Sequence, residues 1–210
     1  LTGEGLLSAQ GEAHRRQRRL VQPAFHRDRL PAYAATMVEH AQRWRDRQHD
    51  GAVMAIRSEM RRLTLGGVGE TMFGATDGDA ADDVRGFIDA GGALFGPLTF
   101  FFAPFMERLP LPSARRFIAT RQRLDARVYR MLHERRASGV DHGDLLSMLL
   151  LAQDEEGDGQ GLTDRQIRDE VVTIFLAGHE TTASALTWSW HLLAQHPEAQ
   201  RRLHAEVDEV

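Results

Sequence analysis

Two short stretches carry residue types that can do chemistry together. The first is Ala177-Gly178-His179-Glu180-Thr181-Thr182, a carboxylic acid beside two alcohols in a run of small residues. An acid next to a hydroxyl is a proton relay in outline: the acid exchanges protons with water and the hydroxyl passes one on. At 100° per residue, Thr173, Ala177, Thr181 and Ser184 fall on one helical stripe, with Glu180 beside it. Small side chains on that stripe admit either a flat ligand or a closely crossing helix, and spacing alone leaves both open. Gly178 weakens the helix, while Thr181 and Thr182 can bond back to carbonyls one turn earlier, which bends helices. His179-Glu180 also begins the His-Glu-x-x-His pattern of zinc proteases, but position 183 is Ala. That pattern therefore fails, and no metal-ligating set is expected in the chain.

The second stretch is Gly11-Glu12-Ala13-His14-Arg15-Arg16-Gln17-Arg18-Arg19. His14 and Arg18 are four apart, so they stand one above the other on a helix. Two donors so placed suit a pair of carboxylates or a phosphate; a solvated basic face is the alternative. Arg15, Arg16 and Arg19 point elsewhere on the same helix. No aromatics interleave with these arginines, which argues against a nucleic-acid patch.

The elements that must hold these groups are helical. Apolar residues recur at helical spacing over most of the chain, and strand signals are confined to Val53–Ile56. Helices are predicted over Glu12–Val21, Asp28–Arg47, from Ser58 as a cap to Phe73, Ala80–Leu94, Ser113–Ala137 and Gly143–Gln153. Gly66, Gly67 and Gly69 inside the third suggest a closely packed neighbour. Thr163 and Gln166 form a capping box that opens the longest helix, uninterrupted by proline until Pro197. About 30 residues at 1.5 Å each make a rod of roughly 45 Å. Pro197 fits the first turn of a further helix. No repeat or linker marks a boundary, so residues 1–210 are expected to form one domain.

Composition narrows the function classes. The chain has 210 residues, 42% hydrophobic and 27% charged, the balance of a globular protein and not of a disordered tail. All 26 cations are Arg, which reads as a compositional bias of the source, and the net charge of −4 argues against a general nucleic-acid binder. There is no Cys, hence no thiolate ligand or Cys nucleophile. No apolar run approaches the ~18–20 residues that cross a bilayer. The start at Leu1-Thr2-Gly3 and a helical pattern running uncapped to Val210 suggest a piece of a longer protein.

Ala177–Thr182 in the middle of an unusually long helix resembles the oxygen-activation motif of the cytochrome P-450 haem-thiolate monooxygenases. Gly11–Leu20 followed by Gln22-Pro23-Ala24-Phe25-His26 resembles that family's haem-propionate helix and the segment after it. The order and separation of the two motifs fit as well, and the resemblance covers essentially the whole chain. It implies a mostly α fold, a partial P-450-like helical domain with one long central helix. It implies a b-type haem whose Cys ligand lies outside this chain. In that picture His14 and Arg18 bind the propionates and Phe25 packs near the haem edge. Ala177 and Gly178 let porphyrin and O₂ approach, Thr181 donates to the oxygen being activated, and Glu180 supplies protons.

The implied activity is insertion of one oxygen atom from O₂ into a small hydrophobic organic substrate. The electron donor would be a ferredoxin or a flavin-type protein, docking near Arg15, Arg16 and Arg19. Leu94–Met106 falls where the family has a mobile lid over its substrate channel. The resemblance further implies a cytoplasmic bacterial protein with no nucleic-acid partner and no transmembrane segment. The competing expectation is a non-enzymatic, all-helical binding or regulatory domain.

Overall fold

The computed structural model describes residues 3–74, 112–154, 157 and 159–209. Every regular element among them is a helix. After a turn over residues 3–8 come α1 (Gly11–Val21), a 3₁₀ turn (Gln22–Phe25), α2 (Leu30–Arg45) and α3 (Ile56–Phe73). They are followed by α4 (Pro112–Ser138), α5 (Leu145–Leu151), α6 (Asp164–Gln195) and α7 (Pro197–Asp208).

Local sequence explains most of the boundaries. Thr163 accepts from the Gln166 backbone N–H while the Gln166 side chain accepts from the Thr163 N–H, so the capping box opens α6 as expected. Pro197 sits in the first turn of α7, where its missing N–H costs nothing. Asp144 caps α5 through Ser147 N–H at 2.9 Å, and its other carboxylate oxygen takes a 2.7 Å hydrogen bond from Arg135.

Three expectations need correction. Val53 to Ala55 are not strand; they are an irregular lead-in to α3, and with no strand among the described residues to pair with, β-propensity has no effect. Ser58 is not the cap of α3: the helix begins two residues earlier, after Ala55, and has no side-chain cap. The short helix covers Leu145–Leu151, not Gly143–Gln153, because Asp144 fixes its start. The expected helix Ala80–Leu94 and the stretch Leu94–Met106 lie outside the described residues.

The core forms where α4, α5 and α6 meet α1 and α3. On α4 the stripe Phe117, Thr120, Leu124, Val128 and Leu132 is buried at helical spacing. On α5, Leu145, Leu146 and Leu149 are at most 1% exposed, each contributing roughly 1.5–3 kcal/mol by burial. From α6 come Ile167, Val171, Val172 and Phe175, and from α3 Leu65, Val68 and Met72. Gly66 permits a close approach as the sequence suggested: a methyl group there would lie 3.0 Å from the His40 ring. None of the described helices is long and apolar enough to cross a membrane.

Candidate cofactor and proton-transfer site

The long helix changes character partway along. Thr173, the first member of the small-residue stripe, is buried, whereas Ala177, Thr181 and Ser184 face outward. No described residue covers this outer stripe. Gly178 is turned the other way: a methyl group on it would stand 3.4 Å from Val68 of α3. The helix crossing and the open stripe, alternatives from spacing alone, thus occupy different sides of the same turn.

Both alcohols are engaged. Thr181 Oγ1 donates to the Ala177 carbonyl at 2.7 Å, and Thr182 Oγ1 to the Gly178 carbonyl at 2.9 Å. In this rotamer Thr181 presents lone pairs outward and accepts. To donate to an oxygen on the open stripe it must rotate off Ala177, giving up a bond worth about 1 kcal/mol. Glu180 leans toward α3, with Oε2 3.4 Å from Arg61 Nε and 3.4 Å from His179 Nε2. Its side chain remains 38% exposed, so water still reaches the carboxylate.

On α1, His14 is half-buried and Arg18 exposed. Among the described residues neither has a side-chain hydrogen-bond or ionic partner. Two donor ends left free, one turn apart, fit a dicarboxylate group such as a pair of haem propionates. Phe25, at the end of the 3₁₀ turn, is 45% exposed and available for an apolar edge. The exposed strip of Ala177, Thr181 and Ser184 is likewise narrow enough in side-chain bulk for a flat ring to approach. The residues present therefore fit a haem in its propionate and upper-face contacts. They offer no thiolate, since the chain contains no Cys.

The remaining arginines of α1 behave differently from the expected open docking face. Arg19 grips Asp154 with two nitrogens at 3.1 to 3.2 Å. Arg16 lies 3.4 Å from the same carboxylate and donates to the Gln160 and Gly161 carbonyls. Asp154 is only 3% exposed. These cations tie the loop after α5 to α1. Arg15, the most exposed of the three, is paired with Glu12 at 2.9 Å.

Sequence reasoning missed a second polar centre at the start of α6. Arg168 bridges Asp125 of α4 (Nε to Oδ1, 2.7 Å) and Asp169 (2.7 Å). Asp169 accepts from the Glu4 N–H at 2.9 Å and Glu170 from the Leu6 N–H at 3.2 Å. Gly5 passes so close to Thr173 Oγ1 that no side chain could replace its hydrogen. Burial raises the Glu170 carboxyl to about 7, with the Leu6 hydrogen bond opposing and the Asp169 charge adding to the rise. The sequence carried little signal for it. Charged residues at 168 and 169 between Ile167 and Val171 are what the outer face of an amphipathic helix normally shows, and only Glu170, three residues after Ile167, falls near the apolar stripe.

The profile described as Cytochrome P450 matches residues 2–210. Cyclooctat-9-en-7-ol 5-monooxygenase of Streptomyces melanosporofaciens is 39% identical over 211 residues, covering 100% of this chain and 46% of that protein. Pentalenene oxygenase of Streptomyces avermitilis is 36% identical over 212 residues with the same coverage. Among solved structures, the haem domain of cytochrome P450DA superposes with a TM-score of 0.82 at 30% identity, over 100% of this chain and 46% of that one. The chain thus spans about half the length of the relatives it matches.

Proposed function

The chain belongs to the cytochrome P450 family, and we propose that it supplies the propionate-binding helix and the oxygen-facing helix of a haem-dependent monooxygenase. The observation that carries this is the open stripe of Ala177, Thr181 and Ser184 beside Glu180, beginning in the middle of α6 where the helix leaves the core. The two Streptomyces relatives are named as oxygenases, and their names favour a small hydrophobic organic substrate. Nothing in the comparisons favours the non-enzymatic alternative. Residues 1–210 act in this proposal as a single unit of the larger fold.

Haem, when bound, supplies the oxidation chemistry, activating O₂ and placing one oxygen atom in the substrate. Its thiolate ligand must come from outside these 210 residues. This chain's residues do the rest. His14 and Arg18 hold the propionates by charge-assisted hydrogen bonds. Phe25 packs on the ring edge, and Ala177 keeps the outer face of α6 thin enough for the ring and O₂ to approach, while Gly178, expected to share that task, faces Val68 and lets α3 pack close instead. Thr181 rotates from Ala177 and offers its hydroxyl proton, and Glu180, reached by water, replaces that proton. A ferredoxin or flavin-type protein serves as electron donor, but Arg16 and Arg19 are committed to Asp154 and contribute little to its docking. The setting is a bacterial cytoplasm, without a nucleic-acid partner.

The test is haem retention in the haem-loaded protein. Replacing His14 and Arg18 together with Ala should lower haem content well below that of Arg15→Ala. Equal loss from both would remove the propionate assignment.

A further inference from the structure

Beside the acid–alcohol pair lies a histidine that no step above uses. His179 is 1% exposed, among the most deeply buried polar side chains described. Its Nδ1 is 3.2 Å from the Phe175 carbonyl oxygen. A backbone carbonyl only accepts, so Nδ1 carries the hydrogen and donates. That assignment determines what the other nitrogen does. Nε2 faces Glu180 Oε2 at 3.4 Å. A neutral ring with its hydrogen on Nδ1 would set a lone pair against a carboxylate oxygen, and Oε2 is buried with no hydrogen bond of its own. Two facing acceptors with water excluded are unfavourable, and one proton between them removes the conflict.

We propose that His179 Nε2 and Glu180 Oε2 share one proton, so that His179 is the buried store from which Glu180 is reprotonated. His179 acts through Glu180 and is in that sense a positioning residue. The direction of use rests on the oxygenase function proposed above; the shared proton does not. In a turnover the shared proton passes fully to Glu180: the Nε2–H bond breaks and Oε2–H forms, leaving a neutral ring whose Nδ1–H still donates to Phe175. Glu180 then gives that same proton to an acceptor beside Thr181 and is left as the carboxylate. The pair regains a proton from water through the exposed part of Glu180.

Among the described residues, Glu180 of α6 and Arg61 of α3 are the charged groups that act on the ring. Burial, with Arg61 adding to it, holds the imidazole below its ordinary range, against the smaller upward pull of the Phe175 carbonyl and the Glu180 carboxylate. The store is therefore full on the acid side and empties as pH rises.

Nitrogen-15 NMR of labelled histidine across a pH series tests the shared proton, with His179 assigned by its loss in His179→Asn. The expected result is an Nδ1 that stays protonated while Nε2 titrates. Glu180→Gln should lower that midpoint and Arg61→Gln should raise it, each by about half a unit or more. Both substitutions are at partly exposed positions and leave the buried ring in place. A bare Nδ1, or one midpoint common to all three proteins, would overturn the proposal.

A second arm uses the haem-loaded protein. His179→Asn retains an N–H for Phe175 and deletes Nε2. Product formed per electron consumed should fall with pH in the wild type, tracking the NMR midpoint, and should be low and flat in His179→Asn. A flat wild-type profile would overturn the role as a store. Failure of the complete protein, thiolate ligand included, to bind haem would overturn the oxygenase function instead, while the NMR midpoints still decide the shared proton.

Discussion

The two halves of α6 are built from similar residues yet live in opposite surroundings. In the first half Ile167, Arg168, Asp169, Glu170, Val171, Val172, Thr173 and Phe175 are all buried, three charged side chains included. From Ala177 onward only His179 and Ala183 are buried, while Trp188 and Leu192 stand 64% and 50% exposed. Residue polarity would have assigned these environments the other way round. Neighbours decide instead. The first half lies against α4, α5 and the 3–8 turn, which supply Asp125 and the Glu4 and Leu6 N–H groups to the charges. The second half has α3 on one side and, among the described residues, little else. A buried polar centre is thus a locking device between elements, whereas an exposed apolar run is a surface on which something else can act.

The sharpest way to break this contrast is to remove a charge from the first half and an aromatic from the second. Arg168→Ala leaves Asp169 and Asp125 without their shared cation and should cost about 3–5 kcal/mol. Trp188→Ala should stay within about 1 kcal/mol. Urea denaturation of both variants checks this, and similar losses would erase the distinction between the halves.

A smaller and pH-dependent effect is expected at Glu170. Its folded value of about 7 lies above the ordinary 4.5, so the folded protein keeps a proton that the unfolded chain releases between those values. That contribution is fully present below pH 4.5 and is lost as pH rises toward 7, at most about 3 kcal/mol. Glu170→Gln cannot ionise, and its amide oxygen can still accept from the Leu6 N–H. The variant should match the wild type near pH 4.5 and melt higher above pH 7. A pH-independent difference between them would show that Glu170 is not held as the neutral acid.

The smallest structural effect belongs to the open stripe. Thr181→Ala and Thr182→Ala each delete one bond to a carbonyl a turn back, and each should cost no more than about 1 kcal/mol. Their stabilities should be alike and their chemistry different. In the haem-loaded protein, Thr181→Ala should divert reducing equivalents to hydrogen peroxide, while Thr182→Ala should leave product per electron nearly unchanged. Equal ratios in the two variants would place the relay on the wrong alcohol.

Features set by neighbours a few residues apart were legible before any fold was known. The Thr163–Gln166 capping box, Pro197 at the head of α7, the uninterrupted span of α6 and the four-residue spacing of His14 and Arg18 all follow from helical geometry, which couples each residue chiefly to those three and four away. The Thr181 stripe and the acid beside it were legible for the same reason. Only the tertiary structure decided which side of that helix is buried. It committed Arg16 and Arg19 to Asp154, some 135 residues along the chain, and clasped Asp169 and Glu170 onto Glu4 and Leu6, about 165 residues away. It also turned His179 inward against Glu180 and Arg61. Such pairings have no period in the sequence. They exist because an enclosed charge or hydrogen-bonding group must find a partner from whichever element packing brings alongside it.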